Sequence, residues 1–288
     1  MYKILEKNDL AAKVFRYVVE APDIARKTKA GQFVILRLDE FGERIPITIA
    51  DRNIEKGTLT LFVQAVGKTT THMSRMKAGD SILDVVGPLG IPSQIEKVGT
   101  VVAIGGGFGI AAIYPIVRAH TMIGNKTVSI MGARTQSLLI LEDEVRAVST
   151  EVRIATDDGG YGKKGIVTDL LRDMITAKET INLVIAIGPL VMMRAVAEVT
   201  RPYAIKTVVS LNPIMIDGSG MCGACRVMVG NEMKFACVDG PEFDAHQVDF
   251  ESLFNRLKMY LPEEKQSFER HLHEIAHVCR LEKHLSVG

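Results

Sequence analysis

Val98-Gly-Thr-Val-Val-Ala-Ile-Gly105-Gly-Gly-Phe-Gly109-Ile-Ala111 is the stretch on which the fold turns. Residues 101–104 form an unbroken apolar run, as a strand buried on both faces requires. Glycines follow at 105, 106, 107 and 109, and an apolar helix is expected over 110–121. A glycine turn between strand and helix lets a phosphate approach the backbone, and the helix N-terminus favours its negative charge. Outward from this turn, strands expected at 127–131, 151–155, 183–187 and 207–211 alternate with helices at 138–148, 166–175 and 190–199. Such alternation means a doubly wound parallel sheet that binds its ligand at the carboxyl ends of the strands. The second half of the GxGxxG fingerprint is missing, so a standard dehydrogenase domain is not indicated. Residues 98–117 carry no charge and could span a bilayer, but their glycines and Pro115 fit a nucleotide turn better.

Upstream, short β-type runs stand at 13–20, 32–38, 45–50, 58–66 and 81–86, punctuated by Gly31, Gly57, Gly79 and Gly87-Pro88. Strands of this length and spacing predict a small antiparallel barrel. Two stretches within it carry chemistry. Arg44-Ile-Pro46-Ile47-Thr48 sets a donor for a phosphate or ring carbonyl beside rigid extended backbone, although an ordinary strand with an exposed arginine reads the same way. Gly67-Lys68-Thr69-Thr70 enters a short helix whose hydroxyls and free N–H groups suit a pyrophosphate. Simple capping by a threonine accounts for it equally well.

Downstream, Asp217-Gly-Ser-Gly-Met-Cys222-Gly-Ala-Cys225 and then Cys237 hold three of the four cysteines. Cys-x2-Cys-x11-Cys is close to the ligand spacing of a plant-type 2Fe–2S cluster, save for one cysteine upstream. Asp217 stands in its place, and a carboxylate is a harder but equally anionic iron ligand. Gly218, Gly220 and Gly223 allow tight turns that aim N–H groups at sulfur. The expected site is a 2Fe–2S cluster on Asp217, Cys222, Cys225 and Cys237. A structural zinc on the same donors and three reduced, unligated cysteines are the alternative readings.

With 288 residues the chain can hold two domains. Its formal net charge is +1 and it has no long basic or acidic block, so nucleic acid and anionic membrane are not expected partners. Clustered cysteines at ligand spacing point to a reducing compartment. The first residues lack an apolar core, so no secretory leader is expected, and the protein reads as soluble and cytoplasmic.

Taken in order, these segments resemble the ferredoxin–NADP reductase superfamily over roughly residues 1–255. Within it the chain is similar to the electron-transfer subunits of dihydroorotate dehydrogenase. It is equally similar to the small subunits of sulfide dehydrogenase and of NADH-dependent reduced ferredoxin:NADP oxidoreductase. The resemblance implies FAD on Arg44, Pro46, Ile47 and Thr48 and on Gly67, Lys68, Thr69 and Thr70. It implies a nicotinamide nucleotide on Gly105, Gly106, Gly107, Gly109, Ile110 and Ala111. Gly188, Pro189 and Met192 would close that site, and Gly132, Ala133, Arg134, Asp157 and Asp158 would line it. Dihydroorotate-type subunits carry a cysteine where Asp217 stands, so the aspartate and the run 239–249 place the chain nearer the ferredoxin:NADP oxidoreductase branch.

The implied organisation is an antiparallel FAD-binding β-barrel (1–97), an α/β nucleotide-binding domain (98–212), a 2Fe–2S segment (213–245) and a helical tail (246–288). No residue set reads as a second substrate site, and no catalytic side chain is implied. The implied role is therefore an electron-transfer subunit that works between NAD(H), FAD and the cluster. Its implied partner is a larger flavin and iron–sulfur subunit resembling the small subunit of glutamate synthase, in a complex that bifurcates electrons and meets ferredoxin. A dihydroorotate dehydrogenase or sulfide dehydrogenase subunit and a stand-alone NAD(P)H reductase are the alternatives. Glu142 and Asp143, after the second strand of the sheet, favour NAD(H) over NADP(H), while Arg134 argues the other way. In the tail, Phe250, Leu253, Phe254 and Leu257, then Phe268, Leu272, Ile275, Cys279 and Leu281, recur at helical spacing, for packing on this chain or on a partner. His273 and His277 beside Cys279 lack a further ligand, and Cys279 reads as a small buried hydrophobe.

Overall fold

The computed structural model describes residues 1–285, and the side chains of all of these except 274 and 276–285. The N-terminal part is a seven-stranded antiparallel sheet. Its strands are β1 (Tyr2–Ala11), β2 (Val14–Glu20), β3 (Phe33–Arg37), β4 (Ile45–Asn53), β5 (Thr58–Gln64), β6 (Ser81–Ile82) and β7 (Asp84–Leu89). Two short helices accompany them, α1 (Pro22–Lys27) and α2 (Lys68–Met73). The order is β6-β1-β2-β5-β4-β3-β7. Because β6 and β7 lie at opposite ends of that order yet only Leu83 separates them, the sheet must curl until its ends nearly meet. Tyr17, Val19, Leu36, Ile49, Leu59, Leu61 and Val63 fill the barrel thus formed.

The barrel matches the expectation, with three local differences. β1 was not among the expected strands. It buries only Ile4 and carries Lys3, Glu6, Lys7, Asn8 and Asp9, so it lacks the alternation that betrays a half-buried strand. α1 was also unforeseen, although Pro22 at its first position suits a helix start. The run expected at 81–86 is split into β6 and β7, and the second part continues to Leu89.

The second sheet is built from β8 (Thr100–Gly106), α3 (Gly109–Met122), β9 (Lys126–Ala133), α4 (Glu142–Val148), β10 (Glu151–Thr156), β11 (Lys163–Lys164), α5 (Val167–Thr176), β12 (Leu183–Ile187), α6 (Leu190–Thr200) and β13 (Thr207–Ser210). Strand order is β11-β10-β9-β8-β12-β13 followed by β16 (Glu242–Asp244), and all pairs are parallel except the last. Every residue of β8 and β12 is buried, as their apolar runs require. The span 98–117 is thus a strand and half a helix. Among the described residues no helix is long and apolar enough to cross a membrane. The helix expected at 138–148 begins only at Glu142, because Leu141 just before it takes the left-handed conformation (φ +56°).

Beyond β13 come a hairpin, β14 (Arg226–Val229) and β15 (Glu232–Phe235), then β16 (Glu242–Asp244), α7 (Phe250–Leu257) and α8 (Leu261–Leu285). Gly230 (φ +62°) opens the two-residue turn of the hairpin, which lies between Cys225 and Cys237. β16 returns to pair antiparallel with β13 and pins the connection between the two sheets. Ile91 N–H donates to Gly240 O at 2.6 Å, and the Ser93 hydroxyl donates to the Glu242 carboxylate. Phe33 and Ile35 of the barrel share one apolar cluster with Met215, Cys225, Val227, Cys237 and Phe243.

α7 lays buried Phe250 and Leu253 on this chain, against β14 and α6, and leaves Phe254 exposed. α8 runs back to α2, where the His72 and His271 rings lie 5.8 Å apart. On α8 it is Phe268, His271 and Ile275 that are half-buried, whereas Leu272 is exposed. The side chains of His277, Cys279 and Leu281 lie outside the described residues.

Candidate functional site

β8 lies between β9 and β12, so the chain order reverses there. This switch point is where doubly wound sheets hold ligands. The glycine turn after β8 and the Gly188–Met192 turn after β12 face each other across it. A Cβ on Gly106 would come within 2.3 Å of Met192 Sδ and 3.2 Å of Pro189 Cδ, and one on Gly109 within 2.1 Å of the Ile187 carbonyl oxygen. Gly107 N–H donates to Gly132 O at 2.8 Å, which ties β9 to the same rim. Asp157 and Asp158 N–H donate at 3.2 Å to Ala133 O and Arg134 O, which bring β10 to it as well. Gly105, Gly106, Gly107, Gly109, Gly132, Ala133, Arg134, Asp157, Asp158, Gly188, Pro189 and Met192 therefore gather at the carboxyl ends of β8, β9, β10 and β12. Ile110 and Ala111 are different: their side chains are buried in the apolar cluster that includes Val14, Ala50 and Phe62 of the barrel. They join the two halves of the molecule. Glu142 Oε1 accepts from Tyr161 Oη at 2.7 Å and from Arg146 Nε at 2.8 Å.

In the barrel, Pro46, Ile47 and Thr48 pair with Ile35, Val34 and Phe33, and exposed Arg44 stands just before them. Glu43 joins the two expected flavin stretches. Its carboxylate accepts from Thr69 Oγ1 at 2.7 Å and lies 3.6 Å from Lys68 Nζ. Thr70 Oγ1 accepts from the N–H groups of Val66 (3.1 Å) and Gly67 (3.0 Å), so that hydroxyl serves as a cap.

In the cysteine segment, Cys225 and Cys237 are buried with their sulfurs 3.1 Å apart, as free thiols. Cys237 N–H points at Cys225 Sγ at 3.4 Å. Burial, and then the neighbouring sulfur of Cys225, push the Cys237 thiol up from its ordinary value. Cys222 is exposed, and its N–H donates to Asp217 Oδ2 at 3.0 Å, while Ser219 N–H donates to Oδ1 at 2.9 Å. The Ser219 bond first, and then those from Cys222, hold the Asp217 carboxyl below its usual range. The four donors thus fall into two pairs, 225 with 237 and 217 with 222, which suits a cluster that places two ligands on each of two irons. Among the described residues no three His, Cys, Asp or Glu side chains gather around one point as a single metal ion needs.

Gly218 (φ +75°), Gly220 (φ +82°) and Gly223 (φ +67°) shape the loop, and a Cβ on Gly218 would lie 2.5 Å from Leu89 Cδ1 and 3.1 Å from Ile35 Cγ1. The loop therefore rests directly on barrel strands β3 and β7. Donor chemistry and cradle both fit a 2Fe–2S cluster. Two further cations reach the loop that sequence reasoning did not find. Arg226 Nη1 donates to Gly223 O at 3.3 Å, and Arg256 Nη2, from α7, donates to Ala224 O at 3.0 Å. No spacing rule links position 256 to position 224, and only the docking of α7 brings them together.

A near-closed barrel, a doubly wound sheet with a glycine turn at its switch point and a cysteine loop define the class: an NAD(P)H-dependent iron–sulfur flavoprotein of ferredoxin–NADP reductase fold. Comparison with known proteins agrees. Residues 212–249 match the iron–sulfur cluster binding domain of dihydroorotate dehydrogenase B. The chain is 47% identical over 270 residues to a protein of Thermotoga maritima named dihydroorotate dehydrogenase B (NAD(+)), electron transfer subunit homolog, covering 94% of this chain and 95% of that one. It is 35% identical over 231 residues to a probable subunit of the same name from Methanocaldococcus jannaschii, covering 80% and 84%. A solved structure of the NADH-dependent reduced ferredoxin-NADP oxidoreductase, described for flavin-based electron bifurcation, superposes with a TM-score of 0.89 at 45% identity over 94% of this chain and 98% of that one. Phthalate dioxygenase reductase shares the fold alone, with a TM-score of 0.58 at 15% identity over 79% of this chain and 85% of that one. The chain belongs to the family of dihydroorotate dehydrogenase B electron transfer subunits and their homologues.

Proposed function

We propose that this chain is the subunit of a heteromeric, electron-bifurcating NADH-dependent ferredoxin:NADP oxidoreductase that moves electrons between NAD(H), FAD and a 2Fe–2S cluster. The observation that supports this most directly is the position of the cysteine loop. It rests through Gly218 on Leu89 and Ile35 of the barrel, and Ile35 pairs with Pro46 of the expected flavin run.

Each stretch has its task in this reading. Gly105–Gly109, at the head of α3, take the pyrophosphate of the nicotinamide nucleotide, and Gly188, Pro189 and Met192 form the opposite lip. Arg44 supplies a positive charge to the flavin phosphate or ring, beside Pro46, Ile47 and Thr48, and the 67–70 turn offers its backbone. Asp217, Cys222, Cys225 and Cys237 hold the irons. FAD, when bound, converts the two-electron hydride chemistry of NADH into single-electron traffic with the cluster. The chain contributes positioning and fields. The switch point takes NAD(H), the partner is a larger flavin and iron–sulfur subunit resembling the small subunit of glutamate synthase, ferredoxin is met through that partner, and the site of action is the cytoplasm.

The test is anaerobic purification of the native complex. A co-purifying large flavoprotein with further iron–sulfur clusters, and NADH- and ferredoxin-dependent reduction of NADP, is the expected result. Recovery of a dihydroorotate-oxidising flavoprotein instead would move the chain to that enzyme, and recovery of the chain alone with full turnover would make it a stand-alone reductase.

A further inference from the structure

We propose that Arg256, on the helix that follows the iron–sulfur segment, is a positioning residue that holds the Cys222–Cys225 turn and raises the reduction potential of the cluster bound there. The inference rests on the cluster reading above, but the residue lies outside the matched segment, which ends at 249.

Rigid docking of α7 fixes the position of this guanidinium. Asp249 N–H donates to Met228 O at 2.9 Å on β14, and the Asp249 side chain caps the helix by accepting from Ser252 N–H at 2.9 Å. Leu253 is 1% exposed, and Val248 bridges to Val229 of the same strand. β14 itself begins at Arg226, the residue after Cys225. One turn beyond buried Leu253, Arg256 is therefore carried back over the cysteine turn, where its Nη2 donates to Ala224 O at 3.0 Å. Ala224 sits between the two cysteines, so the bond fixes a peptide of the turn that must present both sulfurs. Arg226 Nη1 donates to the preceding carbonyl, that of Gly223, at 3.3 Å.

The arrangement works against Arg256 as an isolated charge. Burial, and next the like charge of Arg226, disfavour its protonated form, and Tyr260, then Cys225, partly offset them. Two guanidiniums packed against one turn are stable when the turn carries negative charge. A 2Fe–2S core with four anionic ligands is a dianion when oxidised and a trianion when reduced. Reduction adds one electron and no proton, so a cation beside the turn stabilises the reduced form more than the oxidised one. Asp217, a harder ligand than thiolate, makes such an outer charge a separate means of setting the potential.

The test uses the intact chain, purified anaerobically with its iron, and compares Arg256→Gln and Arg256→Lys. Readouts are the midpoint potential by EPR-monitored titration with mediators and the rate of iron loss to a chelator. Arg256→Gln is expected to lower the equilibrium constant for one-electron reduction about tenfold, 59 mV, and to speed iron loss. Arg256→Lys, which keeps the charge, is expected to stay within about threefold of wild type. A potential unchanged in Arg256→Gln, or one shifted as far in Arg256→Lys, overturns the assignment. If Arg256→Gln holds no iron, Arg256→Lys decides: a wild-type potential supports the role and a shifted one refutes it. Wild-type protein without a 2Fe–2S EPR signal would sink the cluster reading itself, before Arg256 is reached.

Discussion

Replacing Gly109 by alanine probes whether the switch point is built on backbone contact. The new Cβ would meet three backbone atoms at the end of β12: Ile187 O at 2.1 Å, Ile187 C at 2.6 Å and Gly188 Cα at 2.8 Å. All lie well inside ordinary contact, and none belongs to a side chain that can swing away. Overpacking relieved by side-chain movement costs about 1–3 kcal/mol, so a clash that must move a strand end belongs at the top of that range, about 3 kcal/mol. Gly106→Ala is the control from the same turn. Its Cβ would strike Met192 Sδ at 2.3 Å, the flexible part of a thioether side chain, so its cost should be nearer about 1 kcal/mol. Amide hydrogen exchange at Val102–Ile104 and Ala186–Ile187 reports the opening of β8 and β12 without assuming that the whole chain unfolds in one step. Protection there is expected to fall roughly 100-fold in Gly109→Ala and less than about tenfold in Gly106→Ala. NADH should also reduce the flavin more slowly in the first. Equal protection losses in the two variants, or a larger loss in Gly106→Ala, would refute the backbone argument.

Two further outcomes follow from the geometry. His120 is fully buried on α3, its Nδ1 accepting from Asn125 Nδ2 at 3.0 Å while Nε2 has no partner among the described residues, and burial lowers its pKa. An unfolded imidazole titrates near about 6.5, so the unfolded chain gains the proton first; stability is intact above that pH and falls below it by up to about 1.4 kcal/mol per unit. Urea midpoints from pH 8 to 5 should drop more steeply for wild type than for His120→Leu, and parallel profiles would contradict this. Gly218→Ala puts a Cβ on a left-handed residue (φ +75°) and against Leu89, so about 1–2 kcal/mol of backbone strain adds to the clash. Its iron content should fall while FAD content holds, and full iron occupancy would show that the loop does not need that glycine.

The sheets were legible because their strands are apolar runs that β8 and β12 bury completely, and because the glycines of the 105–109 turn fall where a strand gives way to a helix. β1 escaped notice because only Ile4 along it is buried. The hairpin inside the cysteine segment escaped because ligand spacing dominates the reading of that stretch. The bond from Arg256 to Ala224 depends on how α7 docks and has no local signature. The bond from Tyr161, nineteen residues later, to Glu142 likewise has no local signature.

The late return of β16 has a consequence for how the chain is made. Thr207–Ser210 of β13 has no neighbour on its outer side until Glu242–Asp244 has been synthesised. A ribosome-bound chain that ends anywhere between them presents an open edge of a parallel sheet, the kind of template on which nascent chains pair with one another. Cys237, the last of the three clustered cysteines, emerges only five residues before that strand. Synthesis of the cysteine cluster and closure of the sheet edge therefore fall at nearly the same moment of translation.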